Sequence, residues 1–480
     1  MSIVHIRKHD RYQLEIKTQS LTEGTKNTQS EIDLWLFLPP ALGISPAEYT
    51  SHNFYSDLRT YTRLKTPRFS ASQLLNQDDS PLCRLEAMLN AGHDKQIQKV
   101  MRQEMKLLCS IVRKVSALQK QTASLEQMES ILQRWRSVFV QLSTLSLTYK
   151  TTICLKIVDE LMSNYWEVSL IEAQEMLVGE ELEFINQSIE KEFQYRLEQE
   201  YFLYSSSKKE QYLFHFGNLV KFVSTVLFLD SRSDRFSDWL KHLALGTAAG
   251  LAMVWALFVQ IYALVKYGVN LNEGMNIQLI LTFVGIGIFS YILKDRIKAT
   301  SGSWLASQIS KHLPDRQRQY YLDDEEAAIA KISEKASFVK VKHLPLDIRD
   351  KYQNFQEWNP YFLFGSDVLH YHRDIDVFSK LAKKQFPRFR GVVDIHRFHV
   401  WNWIKTLAPP KKEIVVLTSK GKVERCKAPR VYTVNLLTKT QINSKIEYQL
   451  FRVLLNNRGL VEVEEVDFNP SSEMYKQSSK

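Results

Sequence analysis

Four of the twelve histidines fall between His370 and His399, in the strings Asp367-Val-Leu-His370-Tyr-His372-Arg-Asp374 and Asp394-Ile-His396-Arg-Phe-His399. Neutral imidazole beside carboxylate suits zinc, iron or manganese. His370, His372, His396 and His399 are therefore the candidate metal ligands. A structural reading competes with this one. The run VVDIHRFHVWNWIKTL reads as an amphipathic helix, and histidines at i and i+3 on one helical face are more often core or surface groups than ligands. No residue is assigned a catalytic role. The chain contains no GxxxxGK[ST], GxGxxG, HExxH or GxSxG, so a nucleotide-binding loop or a hydrolase elbow cannot be assembled from recognisable parts, and no cofactor is expected.

Charge is the second chemical signal. Between Lys380 and Lys439 there are fifteen Lys or Arg against Asp394, Glu413 and Glu424, a net +12 in sixty residues, while the whole chain is +10 and the remainder therefore −2. Lys383, Lys384, Arg388, Arg390, Lys411 and Lys412 are the candidate contacts. Anionic lipid headgroups would be drawn to such a cluster, each basic group contributing about 1 kcal/mol near the surface. The interleaved Phe386, Phe389, Trp401 and Trp403 also suit nucleic acid, which needs cations and stacking rings together. A solvated face with no specific partner is the third reading.

The elements that must hold these groups are read from hydrophobic patterning. Leu243–Val265 is 23 residues without a charge, long enough for a hydrocarbon core of about 30 Å. Ile277–Leu293 is 17 residues, again uncharged. The connection between them is short, which predicts an antiparallel transmembrane hairpin. Arg232, Arg235 and Lys241 precede it and Lys294, Arg296 and Lys298 follow it, whereas the connection holds Lys266 and Glu273. By the positive-inside rule both termini are cytoplasmic, in the inner or plasma membrane if the chain is bacterial. Gly246, Gly250, Gly285 and Gly287 are candidate close-packing positions, at the hairpin seam or on a dimer face. Neither span holds Asp, Glu, Lys, Arg or His, which argues against an ion pathway. Tyr212–Leu229 is apolar but includes His215 and Lys221; it reads as a docking helix, with a third span as the competing reading.

Outside the membrane segment the pattern predicts a mixed α and α+β protein. Residues 1–81 read as a β-hairpin, Tyr12–Lys17 with Ile32–Leu38, followed by an irregular stretch. Residues 82–235 carry apolar stripes at three- and four-residue spacing, the mark of a helical bundle or coiled-coil-like layer. Residues 236–298 hold the hairpin, and residues 299–480 a basic cytoplasmic α+β domain. In that domain Asp323–Lys335 reads as a helix and Ile414–Thr418, Arg430–Leu437, Tyr448–Leu455 and Leu460–Val466 as antiparallel strands. Cys83, Cys109, Cys154 and Cys426 show no paired spacing, so a reducing compartment is expected, and the charged opening MSIVHIRKHDRYQLEIK has no signal-peptide core. The function that fits is a membrane-anchored scaffold, sensor or adaptor. Its partners would be membrane lipids and a protein, or a second copy, bound through the helical domain, with nucleic acid less favoured. The alternatives are a membrane-bound effector or metal-dependent enzyme with its site in residues 343–403, and an oligomeric pore built from hairpins.

Overall fold

Period-two alternation of apolar and polar residues builds strands at both ends of the chain, and long apolar stripes build helices between them. The computed structural model describes the chain apart from residues 1–3, 23, 25, 91–93, 118–121, 176–179, 234–235, 267–276, 323–324, 352–366, 419–420, 443–444 and 467–480. First come β1 (Val4–Lys8), β2 (Gln13–Leu21), β3 (Thr28–Leu38), α1 (Ser51–Asp57) and β4 (Leu58–Leu64). The helical region follows as α2 (Ala71–Asn76), α3 (Pro81–Leu89), α4 (Lys95–Ser116), α5 (Thr122–Ser143), α6 (Tyr149–Gln174), α7 (Glu180–Glu198) and α8 (Lys209–Ser224). β5 (Asp230–Ser233) leads into α9 (Phe236–Lys266) and α10 (Ile277–His312). The last part is β6 (Arg316–Tyr321), β7 (Ala330–Val339), β8 (Asp367–Val377), β9 (Gly391–His399), β10 (Lys411–Leu417), β11 (Val423–Pro429), β12 (Tyr432–Ile442), β13 (Lys445–Asn456) and β14 (Gly459–Val466), with short helices at Ser379–Gln385 and Trp401–Ile404.

The strands form an antiparallel eight-stranded sheet in the order β14-β13-β12-β3-β8-β7-β6-β5, a four-stranded sheet in the order β1-β2-β9-β4, and a separate β10-β11 pair. Several expectations are corrected here. β2 and β3 do not form a hairpin. β2 pairs with β1 and β9, whereas β3 pairs with β8 and β12. The first 81 residues and the residues after 298 therefore share both large sheets instead of forming separate bodies. The run around His396 and His399 is strand β9, not a helix. Its inward face carries Asp394 and His396, whose polarity disguises a period of two. The acidic segment before Lys335 likewise enters strand β7 from Ala330, because Ile332, Glu334 and Ala336 alternate inward against β8.

A buried charged network crosses the gap between the two sheets. Arg373 on β8 bonds Glu334 on β7 and reaches Asp394 on β9 at 3.0 Å. Tyr371 donates to Glu334 at 2.9 Å, and Thr62 on β4 donates to Asp394 at 2.5 Å. A buried ion needs such partners, since a lone charge in that setting costs several kcal/mol.

The helices pack on the same continuous apolar core as both sheets. α4 starts where the Asp94 side chain accepts from the Ile97 amide at 2.7 Å, an N-cap contact. It buries Met101, Met105, Leu108, Val112 and Val115 on one face. α6 places Asp159 where it accepts from Trp135 at 2.7 Å, Tyr195 at 2.7 Å and Tyr201 at 2.6 Å. α8, the segment for which a third span competed, docks on α6. His215 lies 2.7 Å from Glu160, Tyr212 donates to Asn164 at 3.0 Å, and Leu219 and Val223 are buried.

Among the described residues one helical stretch is long and apolar enough to cross a membrane. This is Leu245–Tyr262 in α9, 18 residues with a mean hydropathy of 1.6 and only 17% buried. α10 packs along α9. Their seam is built from alanine, with Ala248, Ala252 and Ala256 buried at four-residue spacing. Gly302 completes it, for a Cβ there would lie 3.3 Å from Leu245 and 3.6 Å from Ala248. Gly246, Gly250, Gly285 and Gly287 are elsewhere. A Cβ on any of them would meet nothing within 4 Å, so the seam reading of these four is corrected and only the dimer-face reading is left to them.

Candidate anion-binding cleft

β2, β4 and β9 end together at one edge of the four-stranded sheet, where Leu21 pairs with Gly391 and Leu64 with Val392. Gly391 makes the junction possible. Its φ is +134°, and a Cβ would lie 2.2 Å from the Ser20 carbonyl oxygen, so only glycine lets the chain approach so closely. Its carbonyl accepts from the Lys65 amide at 2.9 Å, and the neighbouring Arg390 carbonyl accepts from the Thr22 amide at 3.1 Å. These bonds fix the segments that follow β4 and precede β9 on either side of a cleft of about 1280 Å³.

The cleft is strongly basic. Lys65 and Arg68 line it from the segment after β4, Lys383, Arg388 and Arg390 from the segment before β9, Lys445 from the start of β13 and His5 from β1. Asp79 is the one acid in the lining. Arg68, Lys383, Arg390 and Lys445 make no ion pair with a described residue. Arg388 is different. It is buried, bonds Glu104 on α4, and lies 4.0 Å from Asp79, so it ties the cleft floor to the bundle. Its Nη1 is nevertheless buried with no hydrogen-bond partner, and so is the Thr22 hydroxyl. Buried polar groups are nearly always satisfied, so these two donors are exceptions beside the cleft.

The cations press on one another. Burial first, and then the charges of Arg68, Lys17 and Arg63, lower the Lys65 ammonium from its ordinary range. Packing and then Arg63, Lys65, Lys17 and Arg68 push Lys114, at the end of α4, down to about 8. Like charges so arranged destabilise the folded state until an anion joins them.

The predicted contact residues divide. Lys383, Arg388 and Arg390 meet in the cleft. Lys384 is exposed on the same short helix as Lys383 but outside the lining. Lys411 and Lys412 lie on the β10-β11 pair, where Val415, Leu417 and Val423 are exposed beside them. The histidines divide as well. His370 and His372 share one face of β8 and converge on Asp33 of β3. Burial opposes the Asp33 charge, but the hydrogen bonds from His370 and His372 outweigh it and hold the carboxyl below its usual range. Asp33 and then Asp374 raise the His372 imidazole to about 10. His396 is buried in the other sheet with Nδ1 3.2 Å from the Thr60 hydroxyl, and burial and Arg373 hold it neutral, well below the ordinary value. His399 ends β9, its ring 6.1 Å from that of Tyr12.

Lys17, Arg63, Lys65, Arg68 and Lys114 were not among the sequence candidates. The only signal for them is the basic alternation Arg59, Arg63, Lys65, Arg68 in and after β4, which no local rule connects to residues 383–390. Comparison with protein-family models, with curated proteins and with solved structures gives no match, so the cleft is interpreted from its own geometry.

Proposed function

We propose that the chain is a membrane-anchored sensor whose cleft captures a multiply phosphorylated soluble ligand, a nucleotide or a short nucleic-acid strand. The observation that carries this reading is a concave surface of cations with a single acid. Phosphate oxygens accept hydrogen bonds from such cations, and guanidinium forks bind them bidentately. Anionic lipid is the better partner for the β10-β11 pair, where six cations against two acids accompany exposed apolar side chains.

Membrane anchoring is supported by the apolar stretch of α9 and by sheet topology. β3, from the N-terminal flank of the helices, is bonded on both sides to strands from the C-terminal flank. β5 and β6, immediately before α9 and after α10, also pair. A chain that crosses the bilayer in α9 must therefore cross back before β6, and α10 is the helix that stands there. Its Leu281, Ile288, Phe289 and Ile292 face outward, as lipid contact requires. We propose two spans, with the sheets and both termini on the cytoplasmic side, as the basic flanks favour.

The cleft is tested on the full-length protein in detergent with a fluorescent single-stranded oligonucleotide and with tripolyphosphate. Binding is expected to fall as salt is added. The double variant Arg68→Glu, Arg390→Glu should weaken it at least about tenfold, roughly 1.4 kcal/mol, while Lys411→Glu with Lys412→Glu leaves it unchanged. Absence of binding by both probes at low salt, or unchanged binding by the Arg68, Arg390 variant, would sink the reading. Retention of the protein's cleft variant on anionic vesicles would assign lipid contact to the β10-β11 pair alone.

A further inference from the structure

We propose that Asp33, His370 and His372 form a site for one divalent transition-metal ion, of the zinc or iron(II) class, with at least one coordination position left open to an exogenous ligand. The proposal is independent of the cleft, which lies among other residues. Strand geometry creates the site. His370 and His372 are two apart on β8 and so project from the same face, and Asp33 on β3 is registered directly opposite His372. One carboxylate oxygen, Asp33 Oδ1, is 2.7 Å from His370 Nε2 and 2.7 Å from His372 Nδ1. All three donor atoms lie within 4.8 Å of one another. A metal at about 2.0–2.2 Å from each donor needs donors about 3 Å apart or slightly more, so each Asp33–His pair would open by a few tenths of an ångström.

The surroundings favour ligation over a plain ion pair. The second nitrogen of His372, Nε2, lies 3.1 Å from Asp374 Oδ1. This is the outer carboxylate that typically fixes the tautomer of a ligating imidazole. Trp35, two residues from Asp33, stacks on the His370 ring at 3.6 Å and 8°, which sets that ring's plane. Two cations stand in register with the site, Lys335 opposite His372 and Lys439 opposite Asp33, and Lys439 turns to Asp347 at 2.7 Å. The three side chains keep 17%, 19% and 32% of their surface exposed, so an ion and a further ligand can reach them. Two imidazoles and one carboxylate are the donor set of open, reactive metal sites, not of closed structural ones.

The test uses full-length, tag-free protein in detergent, stripped with a chelator and titrated with zinc by calorimetry and with cobalt(II) by absorption. One equivalent per chain is expected, with the intense visible bands of four- or five-coordinate cobalt. Asp33→Ala and His370→Ala should each weaken binding more than tenfold. Asp374→Asn should weaken it about tenfold, the low end for an outer-shell partner. His399→Ala should change nothing. Binding of less than half an equivalent, a wild-type cobalt spectrum of the free aqua ion, or undiminished affinity in His370→Ala would overturn the assignment. The wild-type spectrum decides the question even if a β3 variant fails to fold.

Discussion

Lys114 turns the cleft's charge into a measurable quantity. Burial and then the neighbouring cations push its ammonium down to about 8, against an ordinary value of 10.5. Between those values the unfolded chain binds more protons than the folded one, so raising the pH through that window favours folding. The stability of the wild type relative to Lys114→Met, measured by urea unfolding, should therefore rise from pH 8 to pH 10. Equal responses in the two proteins would mean that neither burial nor the cations lower Lys114. At this scale the sequence shows some partners and hides others. The spacing of His370 and His372 points to a shared strand face, but Asp33 stands 339 residues from His372, and nothing local announces it. Arg388 belongs to a visible basic run, yet its ion pair with Glu104, 284 residues away, makes it a floor residue and not a free charge.

The elements most legible in the sequence are those whose buried face is mainly apolar. The stripes of α4 and α5 and the alternation of β13 are of this kind. β9 was not legible, because Asp394 and His396 occupy its inward positions and are satisfied by Arg373, Thr62 and Thr60 from other strands. The α9-α10 seam misleads for a related reason. Glycine draws the eye, but alanine at 248, 252 and 256 fills the contact. Ala252→Leu should force the helices apart and cost about 1–3 kcal/mol, read as a lowered thermal midpoint in detergent. Gly250→Leu should stay within about 0.5 kcal/mol. If Gly250→Leu instead lowers the oligomeric mass, its face is a contact between copies.

For the whole molecule, composition and hydropathy point to a membrane segment between two folded flanks. They do not reveal that the flanks are interleaved, since strand pairing across hundreds of residues leaves no periodic trace. The interleaving makes a firm topological demand. Reporters fused to the two termini should read on the same side of the membrane, expected to be cytoplasmic, and one inserted between residues 267 and 276 should read on the other. Termini on opposite sides would be incompatible with the β3-β8 and β3-β12 ladders.

The position of β3 also bears on how the protein is made. At about 5–20 residues per second, the ribosome needs on the order of half a minute to go from β3 to β8. Throughout that interval β3 has neither neighbour, and its row of amides and carbonyls is an open template for any passing strand. On the proposed two-span reading, the hairpin would reach the bilayer before the sheet can close, so insertion would come first and zipping second. A nascent chain halted after α10 would thus be tethered at the membrane with its N-terminal strands unclaimed, the state in which a holding chaperone would matter most.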